Sequence, residues 1–417
     1  MDYKWRKLDN TAKLFSMDGI NNTSMFRLSA ILKDNIDVLC LKKALDIVLN
    51  DYPGFRVKTG SGLFWNYLEY NFRKPKVSIE EGVPCKHINF RKNNNYLFRV
   101  SYFKNKINLD IYHVLTDGGG ATFFFKAIVC RYLDIKYGIK HSKKKEIVSF
   151  EDLTLKYYDR KYHSKKEKIN TFKINEKTSR RNNTFHYILS VKELKSYCKK
   201  EKVSMTMYIV SLYIYALYKS FYFDGCNDEI NIIVPINLRN HFNDNTFVNF
   251  FTYMNIVSDF KGRTDVSFEE ILNRVKKEFK NKYTFEKIKM YLANDVNVGI
   301  NFPIRVVPLF IKKIFVRILA KLRASTSIVS NIGVIEFESK YNKYIDNVLM
   351  LVMPNKLQKI KCSICSYEDN LNITINSNIN DLRFEKIFYE LLFQKFKKFD
   401  IISNDKMRCD YVSGKIK

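Results

Sequence analysis

The sequence predicts an α/β protein of two similar-sized halves, each an α+β two-layer sandwich. Three observations carry this expectation. The chain has 417 residues, enough for two or three ordinary domains. Hydrophobic residues make up 46% and aromatics 15%, so a large core can form, while only 14 Gly and 7 Pro exclude collagen-like or low-complexity character. Helix-spaced apolar runs also alternate with strand-like ones along both halves.

Residues 36–49 (IDVLCLKKALDIVL) place apolar side chains at helical spacing, and Asp51-Tyr52-Pro53-Gly54 ends that helix. Residues 64–70 and 97–102 read as strands, and 107–113 (INLDIYH) alternates apolar and polar as a half-buried strand does. Thr116-Asp117-Gly118-Gly119-Gly120 is a turn, followed by an apolar helix over 121–133 that Gly138 closes. Residues 140–181 carry 14 Lys or Arg against 6 acids, which reads as a solvated linker or crossover, or else as a basic patch. The second half opens with a strand at 185–190 and a helix at 191–202; Ser204 then caps a long apolar helix over 205–222. A buried strand at 230–235, an amphipathic helix at 268–285, strands at 328–334 and 371–376, and a final amphipathic helix at 382–399 follow. The expected division is a first subdomain at 1–165, a basic linker at 166–183 and a second subdomain at 184–417.

The balance of 72 basic against 43 acidic residues leaves a net charge of +29. Such a field attracts polyanions, including nucleic acid, anionic membrane and phosphorylated cofactors. The lysines are spread along the whole chain, however, which points to a general composition bias. No nucleic-acid-binding motif accompanies the charge, so no nucleic-acid partner is expected. The opening stretch MDYKWRKLDNTAKLF has charges with no apolar run behind them, and no window of about 18 apolar residues follows, so neither a secretory signal nor a membrane span is expected. Most of the eight scattered cysteines sit in apolar runs, as reduced thiols in a cytoplasmic monomer would.

One motif carries chemistry: His113-Val114-Leu115-Thr116-Asp117-Gly118, an H-x-x-x-D-G spacing between a strand and a helix. A histidine at a strand end can point into a cleft, and its near-neutral pKa suits general-base work. Gly118, Gly119 and Gly120 allow a tight turn and close approach of a neighbour. Asp117 is placed to cap the helix or orient the loop. The plainer reading is a core histidine beside an Asp helix cap.

His113 to Gly118 resembles the signature shared by chloramphenicol acetyltransferase, peptide-synthetase condensation domains, polyketide-associated acyltransferases and alcohol acetyltransferases. The residues from Trp5 to Lys13 (WRKLDNTAK) resemble the opening of the bacterial alcohol acetyltransferase-like branch. Tyr52-Pro53-Gly54-Phe55-Arg56, Pro235-Ile236-Asn237-Leu238-Arg239 and Ser330-Asn331-Ile332-Gly333 resemble three further segments of it. Tyr112 stands where condensation domains carry a first histidine, and the DFGWG segment of plant-type acyltransferases is absent; both favour that branch.

The resemblance implies two chloramphenicol acetyltransferase-like subdomains forming a V with a central tunnel. His113 would be the base that takes a proton from an alcohol or amine acceptor. The donor would be an acyl-CoA co-substrate or a carrier-protein thioester, with no resident cofactor. Asp117 would be mainly structural and paired with an arginine, Arg56 first and Arg239 second. Ser330 and Asn331 are oxyanion or tunnel candidates, or a plain strand-end turn. The alternative function is a catalytically silent relative that binds a carrier domain or another acidic partner.

Other features carry less. Cys362-Ser363-Ile364-Cys365 is a lone CxxC, with no second pair for zinc and a strand after it, and reads as packing. His241 lies in a polar turn; His87, His141, His163 and His186 have no partner pattern. Residues 306–322 (VVPLFIKKIFVRILAKL) form a basic amphipathic stretch. They read as a helix packed on the second half with its lysines in water, or alternatively as a membrane-surface or channel-lining helix.

Overall fold

Three sheets organise the described residues. The computed structural model describes residues 5–17, 24–80, 85, 87–140, 149–165, 168–322 and 324–415. His141 and parts of the basic stretch (141–148 and 166–167) lie outside the described residues. In the first half, a five-stranded sheet runs in the order Ile345–Val352, Met25–Leu32, Lys106–Tyr112, Phe98–Phe103, Val77–Ile79. Helices Val38–Asp51 and Gly118–Tyr137 supply Leu45, Leu49, Phe124 and Ile128 to a core shared with Leu28, Leu109 and Ile111 of the sheet. The second half has a seven-stranded sheet, in the order Phe251–Ser258, Ile230–Asn237, Ser327–Val334, Ile360–Tyr367, Asn370–Ile379, Thr178–Ser190, Asp400–Ser403. Helices Met205–Phe221, Phe268–Lys282 and Arg383–Lys395 cover it. A small sheet of Trp5–Lys7, Asn66–Tyr70 and Val57–Ser61 completes the set. The result is the expected two-subdomain, two-layer α/β architecture.

Local signals act where they were read. Ser204 Oγ accepts from Met207 N at 3.1 Å, starting the apolar helix, and Gly138 closes Gly118–Tyr137 at a φ of +64°. The latter helix begins three residues earlier than its apolar pattern. Asp117 Oδ1 accepts from Gly119 N and Gly120 N, both at 3.0 Å, so the glycines form the first helical turn.

Long-range pairing corrects other expectations. Strand Ile345–Val352 of the second half pairs antiparallel with Met25–Leu32 of the first, so a boundary at 183/184 does not separate the sheets. The physical reason is that Met25–Leu32 is a buried strand that needs partners on both edges. The outer edge of Ile345–Val352 is sealed by side chains from the second sheet. Ser363 Oγ donates to Met350 O (2.9 Å), Asn372 Nδ2 to Val348 O (2.9 Å) and Asn376 Nδ2 to Val352 O (3.3 Å). The stretch expected to be a linker is also partly built in: Thr171 bridges Glu229, and strand Thr178–Ser190 begins inside it.

The strand Lys106–Tyr112 is buried on both faces. Asn108 and Asp110 point away from the apolar core, yet both are fully buried. Arg27 grips Asp110 with Nε and Nη2 at 2.5 and 3.0 Å, and Arg99 adds a second pair. Cys362 and Cys365 lie three residues apart on strand Ile360–Tyr367, on opposite faces, and join the two different cores, so their thiols do not meet. Helix Leu309–Leu322 departs most from expectation: Leu309 and Lys312 are its buried residues, while Phe310, Ile314, Phe315, Ile318, Leu319 and Leu322 are exposed. No helix among the described residues is long and apolar enough to cross a membrane.

Candidate active site

The site is assembled from both halves of the chain. Lys106–Tyr112 ends one residue before His113, whose backbone N donates to Ser24 O at 2.9 Å. The chain then turns through Thr116 into the helix capped by Asp117. From the second half come Arg239, just after strand Ile230–Asn237, and the loop 246–250.

Asp117 joins the two halves. Its Oδ1 is occupied by the helix N–H groups, while Oδ2 accepts from Arg239 Nη1 (2.8 Å) and from Phe250 N (2.7 Å). Burial raises this carboxyl, but the Arg239 guanidinium and the donated hydrogen bonds outweigh it and hold the group below the ordinary carboxylate value. Arg239 also donates to Thr246 O (2.8 Å) and Val248 O (2.9 Å) through Nη2, so one guanidinium fastens the loop to the helix start. Thr116 Oγ1 adds a 2.6 Å bond to Phe247 O. The glycines follow from this crowding. A Cβ on Gly120 would stand 2.4 Å from Phe247 O, and one on Gly119 would stand 2.8 Å from Arg239 Nη1.

Within the fastened loop, Asn249 orients His113. Asn249 Nδ2 donates to Asp9 Oδ2 (3.0 Å) and to His113 O (3.1 Å), two groups that accept. This fixes which way the amide faces, and its Oδ1 lies 3.1 Å from His113 Nδ1. An amide oxygen only accepts, so the proton sits on Nδ1, and no hydrogen bond among the described residues engages Nε2. The ring stacks on Phe15, with centroids 4.4 Å apart, and touches Phe26 and Phe251 at 5.0 and 5.4 Å. Burial among these rings holds the imidazole below its ordinary value, with Asp117 and the Asn249 bond acting against it. Taken as a whole residue, backbone included, His113 is half-buried. Asp9 is buried, caps helix Asn10–Phe15 through Ala12 N (2.8 Å), and is pushed up to about 7, chiefly by burial.

The structure therefore brings together His113, Asp117, Gly118 and Arg239. Arg56 stands apart, which corrects its place as first partner of Asp117: its Nη1 donates to Asn50 Oδ1 at 2.8 Å and its guanidinium lies over Tyr70. The short 3-10 turn Pro53–Phe55 directs it to that side. Strand Ser327–Val334 abuts the motif through Ile332, which would meet a Cβ on Gly118 at 2.8 Å. Asn331 is engaged in its own bulge, accepting from Gly333 N (2.8 Å) and donating to Thr206 Oγ1 (2.9 Å). Ser330 is half-buried on the same strand. Sequence reasoning missed Asn249 and Asp9. The one signal for Asn249 is a lone polar residue inside the apolar run Phe247-Val248-Asn249-Phe250-Phe251; for Asp9 there is only its helix-cap position.

No family model and no curated protein matches this sequence. Solved structures do. Polyketide synthase associated protein 5 from Mycobacterium tuberculosis is 12% identical with a TM-score of 0.62, covering 93% of this chain and 96% of that one. TRI3 trichothecene 15-O-acetyltransferase from Fusarium sporotrichioides is 10% identical with a TM-score of 0.62, covering 94% and 98%. The starter condensation domain of rhizomide synthetase, solved with C8-CoA, is 10% identical with a TM-score of 0.57, covering 90% and 89%. At these identities the likeness shows the fold, shared by acetyltransferases and condensation domains.

Proposed function

We propose that the chain is an acyltransferase of the alcohol acetyltransferase-like kind, moving an acetyl or other acyl group from a CoA thioester to an alcohol or amine. The observation that carries this reading is His113, oriented by Asn249 so that its unprotonated Nε2 has no partner among the described residues, beside the buried Asp117–Arg239 pair. The acceptor hydroxyl or amine gives its proton to Nε2 as its oxygen or nitrogen attacks the thioester carbonyl. The tetrahedral oxyanion collapses, the C–S bond breaks, and the thiolate leaves with the proton returned from Nε2–H. His113 is thus base and then acid, while Asp117, Gly118 and Arg239 hold the frame. Ser330 and Asn331 are the two oxyanion candidates, compared through Ser330→Ala and Asn331→Ala. Acyl-CoA enters as co-substrate; a carrier-protein thioester is the variant donor. The protein works as a cytoplasmic monomer in this reading.

The test is thiol release from acetyl-CoA with a panel of alcohols and amines, comparing the wild type with His113→Ala. Removing a general base should lower turnover about 10²–10⁴-fold. Equal turnover in both proteins overturns the proposal. No turnover in either, over a panel that includes carrier-bound acyl groups, favours the silent carrier-binding alternative.

A further inference from the structure

Helix Leu309–Leu322 is built inside out. A surface helix normally turns its apolar stripe to the core and its charges to water. Here Phe310 is 68% exposed, Ile314 56%, Ile318 51% and Leu322 73%. Their i, i+4 spacing sets them in one stripe along the helix. The inward position is taken by Lys312, which is 3% exposed. Its Nζ donates to Phe64 O (2.8 Å) and Arg305 O (3.2 Å) and stands 3.6 Å from the centroid of the Trp65 ring. The helix is thus anchored by a buried cation, and its apolar stripe contributes nothing to that attachment. Leu63, also exposed, sits at the same end, where its carbonyl accepts from Leu309 N at 2.9 Å. A contiguous apolar face of this kind marks a contact surface.

Charge selects what covers it. Residues 296–335 contain six Lys or Arg and no Asp or Glu. Arg305, Arg317 and Lys321 are exposed around the stripe. A second copy of the chain would set one basic rim against another, on molecules that each carry +29. A surface that is apolar beneath and anionic above matches both features at once. The helix, roughly 20 Å long, is too short to span a bilayer but long enough to lie along one.

We propose that Leu309–Leu322 docks in the interfacial plane of an anionic membrane. Phe310, Ile314, Ile318 and Leu322 enter the acyl boundary, and Arg317 and Lys321 meet the phosphate headgroups. The proposal stands on this surface and is independent of the acyl-transfer reading.

Flotation of the full chain with phosphatidylcholine vesicles, with and without phosphatidylserine, tests it. The key variant is Phe310→Ser/Ile314→Ser/Ile318→Ser, which keeps every charge. Binding to phosphatidylserine vesicles should fall about tenfold or more in this variant, with the melting temperature unchanged. Arg317→Glu/Lys321→Glu should lose the preference for phosphatidylserine. An Ile318→Trp reporter should shift to the blue on binding and be quenched by brominated acyl chains. Undiminished binding by the serine variant would mean that net charge alone acts, and the proposal fails. It fails equally if the wild type ignores the vesicles, or if it self-associates through this face without binding them.

Discussion

At the residue scale, Asp9 reaches His113 through one intervening amide. The charged carboxylate accepts from Asn249 Nδ2, which turns Asn249 Oδ1 toward His113 Nδ1. Asp9→Asn would keep the helix cap through its own Oδ1 and present an NH₂ to Asn249. Two NH₂ groups repel, which weakens the hold on the Asn249 amide against the one remaining acceptor, His113 O; to the extent that the amide reverses, His113 Nδ1 becomes an acceptor and the proton moves to Nε2. Turnover should fall about 10–100-fold with little change in KM, as for other residues that orient a catalytic ligand. The pH profile separates this from a structural effect. Burial pushes the Asp9 carboxyl up to about 7, so the wild-type rate should fall as pH drops through that value and the carboxylate is protonated. His113 itself lies below its ordinary value, and its limb comes later. In Asp9→Asn the limb near 7 should disappear from the residual activity, leaving the lower one; an unchanged profile removes Asp9 from the mechanism.

At the element scale, the Asp117 cap and the 246–250 loop act as one joint. Asp117 and Arg239 are both nearly buried, with side chains 4% and 10% exposed. Removing either partner leaves the other's polar groups without full compensation, at about 3–5 kcal/mol. Asp117→Ala and Arg239→Ala should each lower stability by that order, and the double variant by less than the sum, read by denaturant unfolding in a double-mutant cycle. A sum that is fully additive would mean that the pair does not act as a unit.

The same joint shows what was legible in the sequence. Caps and periodicity are written within about ten residues, so Ser204, Gly138 and the helical runs could be read directly. The partner of Asp117 lies 122 residues away, and Asn249 136 residues from His113. Nothing local distinguishes Arg239 from Arg56 for that role. The outward face of Leu309–Leu322 was illegible for a related reason: an apolar stripe shows its period but not which side meets the body of the protein, and Lys312 decides that in part through the carbonyl of Phe64, 248 residues away.

At the scale of the whole molecule, the two halves are interleaved, each completing the other's sheet or site. Strand Ile345–Val352 closes the first sheet, and loop 246–250 holds the first half's histidine. A fragment of residues 1–183 should therefore be insoluble or molten when made alone, as judged by yield and near-UV circular dichroism; a soluble, cooperatively melting fragment would refute this. The crossing strand also imposes an order of events during synthesis. Met25–Leu32 leaves the ribosome roughly 300 residues before its neighbour, which at translation speeds of about 5–20 residues per second is a delay of roughly 15–60 s. Throughout that interval an apolar edge stands open to other nascent chains, so holding chaperones have most to do before residue 352 emerges.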